Sequence, residues 1–436
     1  MTLVFRFYRA CCGKGRRRRI IFNKARSIGA DAAAAILAVG LFVGTGSARA
    51  AVDKPKVESD FRSWLQDVVK PAALKEGVSE ATFDAATKDI AIDWTLPDLA
   101  PPGAPKLEGP QRQAEFADPG RYVAEANFVA LAAEGQAELK KHAATLDAVE
   151  KRFGVPREIV VAIWGRESRF GKAKIGNVAV RALATEAFIG ARKERFFTEL
   201  IAALKVLQGD HVSLAEMKSS WAGAMGQPQF LPSKYLENAV DMDGDGKRDI
   251  WTSVPDVLGS IANYLKRHGW QPGRSWGIEV DLPKDAPCTL EGPDQAKPVA
   301  EWRKLGVAGR TGALPGGDVN LMAPAGRTGP TFLVTPNFYA IKEYNESDLY
   351  ALFVGHLADR FKGGGPIQGK WTTPKGVARS EIALMQKRLE RQGHDVGTAD
   401  GLVGFRTRVA VGRWETQNGR APTCFPTADD VKLIGR

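Results

Sequence analysis

The chain has 436 residues, 44% of them apolar and 25% charged, which places it among ordinary globular proteins with material for two or three domains. Its net charge of +11 would suit a nucleic-acid binder, but ten Lys/Arg against one Asp fall in residues 1–50, while the remainder holds 51 Lys/Arg against 49 Asp/Glu. The basicity belongs to the first 50 residues, and the case for nucleic acid goes with it.

Those 50 residues read as an export signal. A basic stretch including Arg16 to Arg19 precedes an apolar run from about Ala32 to Val43, and Ala48-Arg49-Ala50 forms a small-x-small cleavage site. The run is short of the about 20 apolar residues a membrane-spanning helix needs, so no membrane anchor is expected after cleavage. No cysteine follows it closely, which argues against lipid attachment there. The long basic region leaves room for a true start downstream of Met1. Cys11 and Cys12 would leave with the leader. Cys288 and Cys424 remain, and an oxidising compartment leaves two readings open, a disulfide or two singly buried thiols.

From Ser59 to Ala86 the pattern is helical with a break at Pro71, and five prolines between residues 97 and 110 mark a connection. Helical spacing then dominates from Pro119 to Lys205. Residues 283–330 are rich in Pro and Gly and read as an irregular insertion with short strands. Asp348–Phe361 is an amphipathic helix, and Lys362–Gly376 reads as a flexible linker. The last 60 residues form a small helical unit. Ser380-Glu381 is a plausible cap for a first helix ending at Gly393, and Thr407 a cap for a second.

The segment Ile159–Gly171 (IVVAIWGRESRFG) poses a chemical question. Six apolar residues lead into Gly165, then Glu167. If the helix continues that far, Trp164, Ile163, Phe170 and Gly171 are the helical neighbours of Glu167, and none is a cation. Arg166 and Arg169 point elsewhere. A carboxyl in such a wall is desolvated, its pKa rises, and it can hold and deliver a proton near neutral pH. The alternative is a surface glutamate at a helix end, paired with any arginine.

A second stretch, Ser219–Tyr235, combines small residues with amides and aromatics. Ala222, Gly223, Ala224 and Gly226 would let a ligand approach the backbone, Ser220 and Gln229 could bond it, and Trp221, Phe230 and Tyr235 could wall a sugar site. The loop Asp241–Asp249 (DMDGDGKRD) places acids at positions 1, 3 and 5 and Gly246 at position 6, the opening of a helix-loop-helix Ca²⁺ site. Asp241, Asp243 and Asp245 would ligate, with Lys247 through its carbonyl. Thr252 stands where that loop type has a glutamate.

Together FGVPREIVVAIWGRESRFG, SWAGAMGQPQFLPSKYLENAVDMDGDGKRDIW, SIANYLKRHGW and YNESDLYALFVGHLADR resemble the lytic murein transglycosylase B family over roughly Phe61 to Phe361. LMQKRLERQGHDVGTADGLVGFRTRVAVGRWE resembles the peptidoglycan-binding module often appended to such enzymes. The resemblance implies a mainly α, lysozyme-like catalytic domain (51–361) with short irregular or β insertions, and a three-helix module (377–436). It implies cleavage of the β-1,4 bond between N-acetylmuramic acid and N-acetylglucosamine without water, leaving a 1,6-anhydro ring. Glu167 would be acid then base. Ser220, Gln229, Tyr264, Tyr344, Asn345, Tyr350 and, more loosely, Tyr122 would be cleft residues. Asp256 would complete the metal loop (241–256) around a structural Ca²⁺, with no cofactor needed for chemistry. Peptidoglycan strands in the periplasm would be the substrate, with other cell-wall enzymes as further partners. A hydrolytic muramidase or a non-catalytic wall-binding protein on the same fold are the alternatives. Gly412 inside the last helix and Glu415, where the module usually has glutamine, depart from its pattern.

Overall fold

The structure, a computed structural model, describes residues 52–101, 118–372 and 377–434. The leader and most of the proline-rich connection lie outside the described residues.

The first helical stretch is continuous across the expected break. It runs Lys54–Trp64, passes through a π turn at Leu65–Val69 and continues as Lys70–Lys75. Pro71 has no N–H, and its ring crowds the carbonyl four residues back. The wider π turn just before it accommodates both without ending the helix. A separate helix, Glu80–Thr87, follows, capped by the Ser79 hydroxyl.

The main body is helical. The Arg157–Ser168 helix is buried on nearly every side, as its unbroken apolar run requires. It packs against Ala126–Lys141, Ala143–Phe153, Val254–Arg267 and Asp348–Phe361. The last of these has the bounds read from the sequence, and Ser347 caps it by accepting from the Tyr350 N–H. Pro156 stands at the N-cap of the Arg157–Ser168 helix.

The insertion builds a five-stranded antiparallel sheet in the order Lys297–Pro298, Asp318–Met322, Thr331–Val334, Gly277–Asp281, Ala308–Gly309. Trp302, Val280, Val319, Leu321 and Leu333 form its own small core.

The expected linker is not free chain. Gln368 and Gly369 donate their N–H groups to the Glu279 carboxylate, at 2.9 and 2.6 Å. Thr372 bonds the Thr328 carbonyl through both its N–H and its hydroxyl. Ile367 and Trp371 pack against the main core. Glycines without side-chain bulk made this stretch look flexible. Backbone donors meeting a carboxylate hold it.

The C-terminal unit has helices at Arg379–Arg391, Phe405–Gln417 and Ala428–Ile434 around Met385, Leu389, Val411 and Trp414. Two expected caps are displaced. Ala378 precedes the first helix, with its N–H on Glu381 rather than a Ser380 cap. Gly404 precedes the second, and Thr407 is buried inside it, bonded to Val396 and Gln386. Cys288 and Cys424 form a disulfide across 136 residues, tying this unit to the sheet insertion. Gly412 faces that bond: a Cβ there would lie 2.3 Å from the Cys424 sulfur. Glu415 accepts from the N–H and hydroxyl of Thr423 and from the Cys424 N–H.

One buried group is poorly served. Glu186 is inaccessible, and neither carboxylate oxygen has a hydrogen-bond partner among the described residues. Burial, with Asp98 nearby, pushes its pKa up to about 7. Ionising it in the fold is therefore harder than in the unfolded chain, so stability falls as pH rises from about 4.5 through 7. Glu186→Met should stabilise the protein at pH 8 by on the order of 1–3 kcal/mol, with the gain shrinking below pH 5, as denaturant titrations at the two pH values would show.

Candidate active site

Glu167 lies one residue from the end of the Arg157–Ser168 helix. Beyond Ser168 the chain turns sharply, with Arg169 and Phe170 both left-handed at φ 50° and 57°. This brings the Phe170 ring back onto Gly165, where any Cβ would meet it at 2.6 Å, and edge-on to Trp164 at 5.6 Å. Phe170 is thus not a continuing helical neighbour. It closes the helix end, and left-handed non-glycine residues at a candidate site are strain that the surrounding packing must hold.

The glutamate itself is half-buried. Burial raises its pKa to about 7, against smaller opposing effects of a hydrogen bond from Tyr350 and the charge of Arg166. The Tyr350 hydroxyl donates to Oε1 at 2.6 Å. Neither neighbouring arginine holds the carboxylate. Arg166 donates to the Tyr122 hydroxyl at 2.7 Å and lies over the Tyr122 and Phe353 rings. Arg169 pairs with Glu134. The carboxyl is therefore poised to carry a proton near neutrality without a fixed counter-ion.

Aromatic rings back this group. Tyr350 stacks on Tyr344 at 6.2 Å, and Tyr344 meets Phe230 and Tyr264 at 5.7 and 4.7 Å. The Tyr344 hydroxyl donates to the Pro228 carbonyl at 2.8 Å, and that of Tyr264 to the Glu343 carbonyl at 2.6 Å. Tyr264 and Phe230 are buried, so they support Tyr344 from behind rather than line an open wall. Tyr235 is also buried, its hydroxyl on the Arg248 carbonyl, and braces the aspartate loop. Trp221 and Asn345 are exposed. Ser220 accepts the Ala224 N–H, and Gln229, left-handed at φ 54°, donates its amide to the Gly226 carbonyl. Gly223 and Gly226 give close approach to Leu183 and Ile250 rather than to a ligand.

Gln227 is a residue that the spacing of the motif did not single out. Its side chain accepts from Trp164 Nε1 and donates to the Trp251 carbonyl, both at 2.8 Å. It pins the 219–230 turn to the helix of Glu167. Its place in the turn, directly before Pro228 and two residues before Gln229, is the sequence signal it carries.

In the acidic loop, carboxylate oxygens of Asp241, Asp243 and Asp256 lie within 4.8 Å of one another. Oxygen ligands 2.3–2.6 Å from a shared Ca²⁺ are separated by about that much or less, so these three fit a hard cation. Asp245 does not join the group. Its carboxylate accepts the Lys247 N–H. Thr252 is held in a turn by Asp249, while Asp256, from the Val254–Arg267 helix, fills the closing place. A cation there would tie that helix to the segment following the 219–230 turn.

Residues 60–359 match the Transglycosylase SLT domain family, well over half of the chain. The chain belongs to that family. It is 37% identical over 210 residues to membrane-bound lytic murein transglycosylase B of Escherichia coli K12, a match covering 47% of this chain and 56% of that protein. The chain thus spans little more than half the length of that curated relative. Among solved structures, SltB3 of Pseudomonas aeruginosa in complex with NAG-NAM-pentapeptide is 41% identical, with a TM-score of 0.77 over 86% of this chain and 99% of that one. The complex of the same protein with NAG-anhNAM-pentapeptide gives 39% and 0.74 over the same shares. The mainly helical, lysozyme-like transglycosylase fold expected from the sequence is what the structure and these likenesses show.

Two outcomes follow from the geometry. Tyr350→Phe removes the bond that lowers the Glu167 pKa, so the protonated form persists to higher pH. The alkaline limb of kcat should move upward relative to the parent while the maximum falls about tenfold. Addition of Ca²⁺ should raise the melting temperature, by about 2.7 kcal/mol of stability at a hundredfold excess over Kd, and Asp256→Ala should abolish the response in calorimetry.

Proposed function

We propose that this protein is an exported lytic transglycosylase acting on peptidoglycan, with Glu167 as its single acid and base. The observation that carries the reading is the setting of Glu167. Burial, the Tyr350 hydroxyl and the charge of Arg166 set its protonation, and among the described residues no carboxylate is hydrogen-bonded to it. A glycosidase that uses water normally needs two carboxyl groups about the scissile bond.

The chemistry then runs on one group. Protonated Glu167 gives its proton to the glycosidic oxygen as the C1–O bond breaks. The muramoyl C6 hydroxyl oxygen attacks C1, and the carboxylate takes the hydroxyl proton. The substrate's 2-acetamido group supports the positive charge at C1. No water is consumed, and Glu167 ends as it began. Attack from within one sugar removes the cost of positioning a separate nucleophile. Tyr350 steadies the carboxylate form between the two transfers.

Ser220, Gln229, Asn345 and Tyr122 are proposed to contact the glycan, Tyr344 and Tyr264 to shape the wall behind it. The complexes of SltB3 with NAG-NAM-pentapeptide and NAG-anhNAM-pentapeptide support a substrate of that class. The leader at residues 1–50 supports a periplasmic location. Among the described residues no helix is long and apolar enough to cross a membrane. The C-terminal unit is proposed to contact the wall polymer from a docked position, since its disulfide and the bonded 362–372 strap remove the freedom of a tethered anchor.

Mass analysis of products from purified sacculi tests the reading. Anhydro ends, one water lighter than reducing ends, are expected. Reducing ends would make the enzyme a hydrolytic muramidase. Glu167→Gln should lower kcat by about 10²–10⁴-fold with the fold intact, and unchanged lysis would remove Glu167 from the chemistry.

A further inference from the structure

The guanidinium of Arg408, in the second helix of the C-terminal unit, is directed into the catalytic body. Nη2 and Nε donate to the two oxygens of Glu291 at 2.6 and 2.9 Å, and Nη1 donates to the Val403 carbonyl. Both charged side chains are almost wholly buried, Arg408 at 4% and Glu291 at 1% exposure. Glu291 also accepts the Ala323 N–H. Burying such a pair is costly unless it is bidentate and its remaining sites are filled, as here. A unit that merely hung from a tether would need no such pair.

The third group facing Arg408 is Asp348, with Oδ2 3.7 Å from Nη2. Asp348 is the first residue of the Asp348–Phe361 helix, and its other oxygen meets Lys342 at 2.8 Å. Lys342 and Asp348 thereby close the loop that carries Tyr344 and Asn345. Two residues along the helix is Tyr350, whose hydroxyl bonds Glu167 at 2.6 Å. At a rise of 1.5 Å per residue, the two residues share one rigid helical turn. A hydrogen bond of that length is lost within an ångström of displacement, so what fixes Asp348 also fixes the hydroxyl.

We propose that Arg408 is a positioning residue for Glu167: by clamping Asp348 against Glu291 it holds the start of the Asp348–Phe361 helix where Tyr350 reaches the candidate acid. The inference rests on the functional reading above for the role of Glu167, but not for the coupling itself. The Cys288–Cys424 disulfide, three residues from Glu291, keeps the unit docked when Arg408 is altered. Substitution therefore loosens the clamp without releasing the unit.

The test follows the Glu167 carboxyl by ¹³C NMR in the full chain, assigned by comparison with Glu167→Gln, beside the pH dependence of kcat on sacculi. The groups facing that carboxyl are Tyr350, Tyr344 and Arg166, none of which is changed. In Arg408→Met the midpoint should rise by about half a pH unit or more, in the direction of Tyr350→Phe. The value of kcat should fall several-fold with KM little altered, and Arg408→Lys should recover part of both. Asp348→Asn, at a partly exposed position, should shift the midpoint the same way and decides the matter if Arg408→Met does not fold. An unchanged carboxyl titration in the folded variants overturns the proposal. An active Glu167→Gln would instead overturn the functional reading, and the titration would still decide whether Arg408 is coupled to Glu167.

Discussion

Everything at the site depends on one carboxyl kept partly dry with a neutral donor as its companion. A cation in the place of Tyr350 would hold Glu167 ionised, and open water would return it to the ordinary carboxylate range. Either would leave a good ligand and a poor acid. The phenol at 2.6 Å does something intermediate. It supports negative charge when that charge forms, yet is too weak an influence to cancel burial. The two nearest arginines are kept out of this role by other partners, Arg166 by Tyr122 and two aromatic faces, Arg169 by Glu134. Those contacts on the outer surface are thus part of how the inner group keeps its proton.

The geometry is held by three pieces of chain brought from far apart. The helix of Glu167 supplies the candidate acid, the 219–230 turn carries amide and hydroxyl groups, and the loop and helix from Tyr344 to Tyr350 supply the hydroxyl that bonds it. Each junction has a specific strut. Trp164 and Gln227 join the first to the second, Tyr344 joins the third to the second through the Pro228 carbonyl, and Tyr264 buttresses the loop at Glu343. The Trp164, Tyr344 and Tyr264 struts are amphipathic side chains whose rings pack into the core while their polar tips satisfy a backbone carbonyl or, for Trp164, the Gln227 amide. This explains why tyrosines that look like ligand contacts in the sequence are in part engaged with protein. Their hydroxyl groups cannot stay unbonded in the interior.

Sequence reasoning reached the buried helix and its glutamate because both are local. An unbroken apolar run must be buried, and a charge at its end must either find a partner or lose its solvation. The bounds of the Asp348–Phe361 helix were readable for the same reason, while its Ser347 cap emerged from the structure. What escaped was non-local. Nothing in Arg166 announces two aromatic faces, one on Tyr122 and one on Phe353. Gln227 matters through Trp164, 63 residues earlier. The acidic loop shows both sides: Asp241 and Asp243 follow from spacing, whereas the third carboxylate that meets them, Asp256, comes from the next helix. The stretch after Phe361 was read as flexible from its glycines, and the partner that fixes it, Glu279, lies on a strand about ninety residues away.

The C-terminal unit shows how departures from a pattern can carry structural information. Gly412 weakens a helix by roughly 1 kcal/mol relative to alanine, and Glu415 puts a carboxylate in a largely apolar interior. Both look like decay when the unit is considered alone. Against the body they acquire a common purpose. Gly412 leaves room for the sulfur of Cys424, and Glu415 gathers the N–H groups of Thr423 and Cys424 so that the thiol-bearing loop has one conformation. On the same helix, Arg408 reaches Glu291 three residues from Cys288. Arg408, Gly412 and Glu415, on one face of one helix, therefore serve a single joint. A helix face occupied in this way is committed to the catalytic body and is not available to a polymer, so whatever the unit recognises must be met by its remaining surface, at a fixed distance and orientation from Glu167.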